Sequence, residues 1–340
     1  MADQQAGRRS KDAGFGIAGL LAGAICAAGG AWILYSRYGI NHHVNCSEAI
    51  ASVRESSTST RVGRVSYYVD RRASEGTRPL VLVHSVNAAA SAYEMKPLFE
   101  QYRGTRPVFA LDLPGFGFSE RSNRIYSAQL YQDALIEFLD GIVGQPADVV
   151  ALSMGSEFAA RAAVVRPDLF HSLSMISPTG LGRLALSTGG RAMGGYGLDN
   201  ALHPVLSLRL WALPLFDSIT SRSCIAYFLK KNFLGHIPPG YTEYAYTTAH
   251  QPGAEYSPLY FLSGKLSTPQ VIEQVYARLR VPSLAIYDRD PNTTFEELPN
   301  LLLMNPYWQA VRMVPSLGLP QFERTADTVE LLNSFWHSLK

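Results

Sequence analysis

From residue 62 onward the chain alternates between two textures. Leu80-Val81-Leu82-Val83-His84 is a continuous apolar run of the kind buried on both faces, and Val108–Asp112, Val149–Leu152, Ser172–Ile176, Pro282–Tyr287 and Gln309–Val314 read as further strands. Val62–Val69 has strand character as well. Between these runs, helical periodicity predicts helices over Tyr93–Tyr102, Ala128–Val143, Gly155–Val165, Thr268–Leu279, Phe295–Leu303 and Thr325–Leu339. Strands and helices alternating at this spacing predict an α/β fold, a parallel sheet covered on both faces.

The rhythm breaks between Ser177 and about Lys265, where Gly, Pro and aromatic residues accumulate and apolar helical pieces appear at Ala201–Phe216 and Ser223–Phe233. An insertion of that length usually has a function. Residues 178–265 are therefore set apart from a core made of 62–177 and 266–340.

The first 61 residues have a different pattern. Arg8, Arg9 and Lys11 precede an uncharged run from Ala13 to Ser36, 24 residues closed by Arg37, long enough to cross a bilayer as a helix. Trp32, Tyr35 and Tyr38 gather at its far end, where interfacial aromatics belong. A cleavable signal peptide is the rival reading, but the apolar run continues through Trp32-Ile33-Leu34-Tyr35, which favours an uncleaved anchor. The basic residues ahead of the span place residues 1–12 in the cytoplasm and the main domain outside it. Residues 37–61 are polar and read as a tether.

Composition adds exclusions. With 47% hydrophobic and 17% charged residues the chain can bury an ample core, and a net charge of +2 without a basic stripe argues against nucleic acid. Of three cysteines, Cys26 falls in the apolar run; Cys46 and Cys224 could pair, although free buried thiols are the simpler expectation. No His/Cys/Glu spacing suggests a metal, and phosphate-loop and dinucleotide fingerprints are absent, so no cofactor is expected.

The most informative stretch is Asp148–Arg161. An apolar run ends abruptly at Ser153 and a small-residue helix begins at once, reading A-x-S-x-G across Ala151, Ser153 and Gly155. A sharp strand-to-helix turn strains its central residue and needs small neighbours two positions away on either side. Such a turn would present the Ser153 hydroxyl above the sheet, with the Met154 amide at the helix N-terminus facing a developing oxyanion. The plainer reading is a helix-capping serine after a buried strand.

Four features in order, LVLVHS (Leu80–Ser85), ALDLPGFGFSE (Ala110–Glu120), ALSMGS (Ala151–Ser156) and VPSLAIYDRDP (Val281–Pro291), resemble the α/β-hydrolase family over roughly residues 62 to 340. The resemblance implies a mostly parallel eight-stranded sheet with residues 178–265 as a helical lid. It further implies Ser153 as nucleophile, the backbone amides of Met154 and Val86 as oxyanion donors, and Asp290 as the acid, with Asp288 a second candidate two residues away.

The base departs from the pattern. Where the family carries a histidine after the last strand, this chain reads Val314-Pro315-Ser316-Leu317-Gly318-Leu319-Pro320-Gln321-Phe322-Glu323. His84 is a candidate for a substitute base or for support of the oxyanion loop; His203, His236 and His250 lie in the lid segment, and His337 near the end of the closing helix. Two readings follow. One is a membrane-anchored serine hydrolase of a small apolar ester or acyl compound. The other is a binding protein of the same fold that has lost its base.

Overall fold

The computed structural model describes residues 28–73, 76–183 and 199–339. Its frame is one sheet of eight strands: β1 (Val53–Ser59), β2 (Gly63–Asp70), β3 (Leu80–Val83), β4 (Val108–Asp112), β5 (Ala147–Leu152), β6 (Phe170–Ile176), β7 (Ser283–Arg289) and β8 (Trp308–Leu317). They lie in the order β1-β2-β4-β3-β5-β6-β7-β8. The β1–β2 and β2–β4 pairs are antiparallel and the other pairs parallel.

The helices follow in chain order. Residues 28–38 form α1. Next come α2 (Lys96–Tyr102), α3 (Ala128–Phe138), α4 (Met154–Val165), α5 (Asp199–Leu206), α6 (Ala212–Ile219), α7 (Arg222–Lys231), α8 (Tyr241–Ala249) and α9 (Tyr256–Leu262). Last are α10 (Val271–Gln274), α11 (Leu298–Met304), α12 (Pro320–Glu323) and α13 (Thr325–His337).

The period of two along each central strand explains why these runs are apolar throughout. Val149 and Ala151 of β5 enter one buried cluster with residues of α3 and α4, whereas Val150 and Leu152 enter a second with residues of α2 and α13. β3 and β4 divide in the same way, so both faces of the centre of the sheet are dry.

Several elements differ from the sequence-based expectation. The stretch expected as a tether contains β1, whose residues VRESSTS pair along their whole length with β2. As a sheet-edge strand with mostly exposed positions it carries no apolar signal. The helix expected over Thr268–Leu279 is broken into α10 and a 3₁₀ turn at Tyr276–Arg278. There the Asn305 amide donates to the carbonyls of Tyr276 (3.1 Å) and Leu279 (2.9 Å), taking the place of helical bonds. The helix expected over Ala201–Phe216 is two helices, α5 and α6, separated at Ser207–Trp211.

Most of the apolar run 13–36 lies outside the described residues. Its last nine positions belong to α1, and among the described residues no helix is long and apolar enough to cross a membrane. α1 is held against α6: the Trp32 Nε1–H donates to the Pro214 carbonyl (2.9 Å), and the Ser36 hydroxyl donates to the buried Asp217 carboxylate (2.5 Å). Cys46 and Cys224 are free, half-buried thiols.

The end of β3 is tied to the turn after β4 by His84. The ring is wholly buried; its Nδ1 bonds the Ser85 carbonyl (2.5 Å) and its Nε2 accepts from the Leu113 amide (2.9 Å). Those partners make Nδ1 the protonated nitrogen of a neutral ring. Burial lowers the imidazole's pKa to about 4, the Ser85 bond opposing it. The unfolded chain, with an ordinary histidine pKa near 6.5, therefore binds the proton first as pH falls. The stability that His84 contributes is complete above pH ~6.5 and declines toward pH ~4, by roughly 3 kcal/mol at most. We expect the stability gap between the native chain and His84→Gln, measured by urea unfolding, to narrow by about that amount from pH 7 to pH 4. A gap independent of pH would contradict this.

Candidate active site

β5 delivers Ser153 to the carboxyl edge of the sheet, and α4 starts at the next residue. Ser153 has φ +50° and ψ −123°, a left-handed conformation that costs a non-glycine residue about 1–3 kcal/mol. Its surroundings enforce it. The Ser153 amide donates to the Ile176 carbonyl (2.8 Å), while the Ser156 hydroxyl donates to the Ala151 carbonyl (3.1 Å), closing the turn from beneath. A Cβ on Gly155 would stand 2.3 Å from the His84 carbonyl oxygen, so only glycine lets α4 meet the end of β3 this closely. The Ser153 side chain is half-buried and makes no hydrogen bond among the described residues.

Two backbone donors follow the ends of the neighbouring strands β5 and β3. The amides of Met154, at the first position of α4, and of Val86, just past β3, donate no hydrogen bond among the described residues. The Val86 loop is fixed by a residue the sequence reading passed over. The buried Glu94 carboxylate accepts from the Ser85 amide (2.8 Å) and the Asn87 side-chain amide (2.8 Å). Burial raises the Glu94 pKa, and these bonds oppose the rise.

A second buried carboxylate, Glu157 in the first turns of α4, binds both flanks of the 178–265 segment. It accepts from the Thr179 hydroxyl and from the Thr268 amide (3.1 Å). An acid four residues after Ser153, in a helix of mostly small and apolar residues, was the available signal for it.

The two acid candidates have different environments. Asp288 accepts from the Arg312 guanidinium (2.9 Å) and the Ser316 amide (2.9 Å), so it joins β7 to β8. Burial works against its ionisation, but these partners outweigh burial and hold its pKa low. Asp290 accepts from the Asn292 amide (2.7 Å) and from Ser177, the residue after β6. Burial raises its pKa. Its carboxylate lies against Gly318, the residue after β8: a Cβ on Gly318 would lie 2.8 Å from Asp290 Oδ2.

All eight histidines are among the described residues, and none hydrogen-bonds Ser153. His84, held open as a substitute base, has both ring nitrogens bonded to backbone and none left for a proton from Ser153. His250 bonds the Tyr246 carbonyl (2.8 Å) and stacks on His42, whose Nε2 meets Asp217 (3.0 Å). His203 lies on the Tyr260 ring, His171 bonds Asp148, His337 bonds Asn333, and His43 and His236 are exposed.

The fold has counterparts among known proteins. A model of the alpha/beta hydrolase family matches residues 80–331. The chain is 30% identical over 134 residues to the uncharacterised hydrolase YugF of Bacillus subtilis, covering 39% of this chain and 47% of that one. It is 30% identical over 114 residues to (E)-2-((N-methylformamido)methylene)succinate hydrolase of Acinetobacter baylyi, covering 34% and 41%. The chain thus spans less than half the length of these curated relatives. Among solved structures, a probable hydrolytic enzyme of Pseudomonas aeruginosa superposes with a TM-score of 0.67 at 18% identity, over 87% of this chain and 97% of that one. A membrane phospholipase A superposes with a TM-score of 0.65 at 18% identity, over 95% and 98%. The matched family model, together with the sheet order and the strained serine at the end of β5, places this chain in the alpha/beta hydrolase family.

Proposed function

We propose that this protein is a serine hydrolase-type enzyme acting on an ester or acyl bond of a small apolar compound, held at a membrane by residues 13–36. The observation that carries the reading is the backbone of Ser153. A non-glycine residue at φ +50°, locked between β5 and α4, is a costly device that presents a hydroxyl and leaves the adjacent amide free. In this reading Ser153 Oγ attacks the carbonyl carbon and the Met154 and Val86 amides hold the oxyanion. The tetrahedral species then collapses with cleavage of the bond to the leaving group. The Ser153 proton passes to water or to the departing oxygen, and water later releases the acyl group. Helices α5–α9 act as a lid whose apolar residues favour an apolar substrate.

Lacking an imidazole, Ser153 keeps its proton near neutral pH and remains a weak nucleophile. The second reading, a ligand-binding protein of the same fold without turnover, is favoured by Gly318 and Leu319 standing in the loop where the family presents its base.

Labelling by a fluorophosphonate probe separates the two. We expect slow labelling of the native chain, abolished in Ser153→Ala, and faster labelling in Gly318→His or Leu319→His by about 10²-fold or more. No labelling of the native chain over prolonged exposure would support the binding protein; fast labelling would overturn the account of the base.

The acid assignment has its own test. In the Gly318→His background, Asp290→Asn should remove most of the gained labelling rate, because the new ring loses its orienting carboxylate. Asp288→Asn should instead lower stability by about 1–2 kcal/mol in thermal unfolding, through loss of the Ser316 and Arg312 contacts, while leaving the gain in place. The reverse pattern would make Asp288 the acid.

A further inference from the structure

We infer that the surface formed by Leu34 and Tyr35 of α1 with Val205, Leu208, Leu210 and Trp211 rests on a lipid bilayer, an inference that depends on reading residues 13–36 as an anchor. These side chains are open to solvent: Leu34 is 60% exposed, Tyr35 58%, Val205 50%, Leu208 47% and Leu210 55%. Exposed apolar groups concentrated on two segments that are bonded to each other mark an interaction site rather than ordinary scatter.

Hydrogen bonds hold the collection together. The Arg37 guanidinium donates to the carbonyls of Arg209 and Leu210, and Trp32 donates to the Pro214 carbonyl (2.9 Å). The Trp211 Nε1–H donates to the Val205 carbonyl (2.8 Å), closing the turn between α5 and α6. The tie is rigid, because Ser36 and His42 converge on the buried Asp217 carboxylate at 2.5 and 3.0 Å. α1 therefore cannot swing independently of the 205–217 segment.

The uncharged run fixes the occupant. If residues 13–36 cross the bilayer as a helix, Trp32 lies four residues from the end of the span, about 6 Å inside it at ~1.5 Å per residue. The backbone bonded to Trp32 and Arg37 is then carried to the headgroup boundary. The residues found there suit that depth: aromatic rings with polar tips, leucines, and the exposed cations Arg37 and Arg209 facing lipid phosphates. Such seating would hold the α5–α6 segment where apolar substrates partition.

The test uses the full chain with its three cysteines replaced by serine and Leu210→Cys carrying a bimane label, reconstituted in phosphatidylcholine–phosphatidylglycerol vesicles. A second labelled variant, Leu208→Cys, guards against a folding defect in the first. Vesicle flotation reports the anchor; quenching by lipids brominated on their acyl chains, against quenching by aqueous iodide, reports the face. We expect flotation, roughly twofold quenching by brominated lipid and little by iodide. Flotation with iodide quenching alone would leave the anchor standing and overturn the docked face. Failure to float would overturn both. Protection from iodide without lipid quenching would assign the face to a second copy of the chain and equally overturn the inference.

Discussion

The site depends on one close approach, α4 against the end of β3. A helix can begin immediately after β5, in the middle of the sheet, only if its first turn passes within van der Waals reach of the His84 carbonyl, and Gly155 permits that. Ser153 adopts its left-handed conformation at this approach, with the free amide of Met154 next to it in the chain. Buried polar groups then make the arrangement stiff. His84 anchors the Val86 loop to the turn after β4, Glu94 holds it from the α2 side, and Glu157 binds the two ends of the β6–β7 insertion to α4. Each is buried with hydrogen-bond partners, the condition under which interior polar groups specify geometry.

This has a consequence for the missing base. In the proposed reading Ser153, the two free amides and Asp290 are supported by separate elements, so the absence of an imidazole at the β8 end need not disturb the β3–β5 end. Asp290 is held by Asn292 and Ser177, whereas Asp288 is occupied with Arg312 and Ser316. Two carboxylates two residues apart thus do different work: one joins strands, and the other remains beside an unoccupied position.

Much of this was legible in the residues, and what was not has a common physical cause. Strands buried on both faces announce themselves as apolar runs, and an elbow needs small residues at fixed spacing, so β3–β7 and Ser153 could be read locally. β1 could not, because an exposed edge strand has no apolar face and is defined by its pairing with β2. Asn305 replacing helical bonds, Glu157 spanning from α4 to Thr268, and Asp217 joining Ser36 to His42 are contacts between residues distant in sequence. The His84 role was open for the same reason. Only the partners of its two nitrogens, Ser85 and Leu113, turn a candidate base into a structural tie.

The central claim is that Ser153 is a built nucleophile left without a proton acceptor. If so, the defect affects deacylation as well as acylation, since water attacking the acyl-enzyme needs the same base. Prolonged incubation with an activated apolar ester, followed by peptide-mapping mass spectrometry, measures this directly. The account predicts a slowly formed, long-lived acyl adduct on Ser153. Rapid multiple turnover with no adduct detected, or acylation confined to other residues, would contradict it.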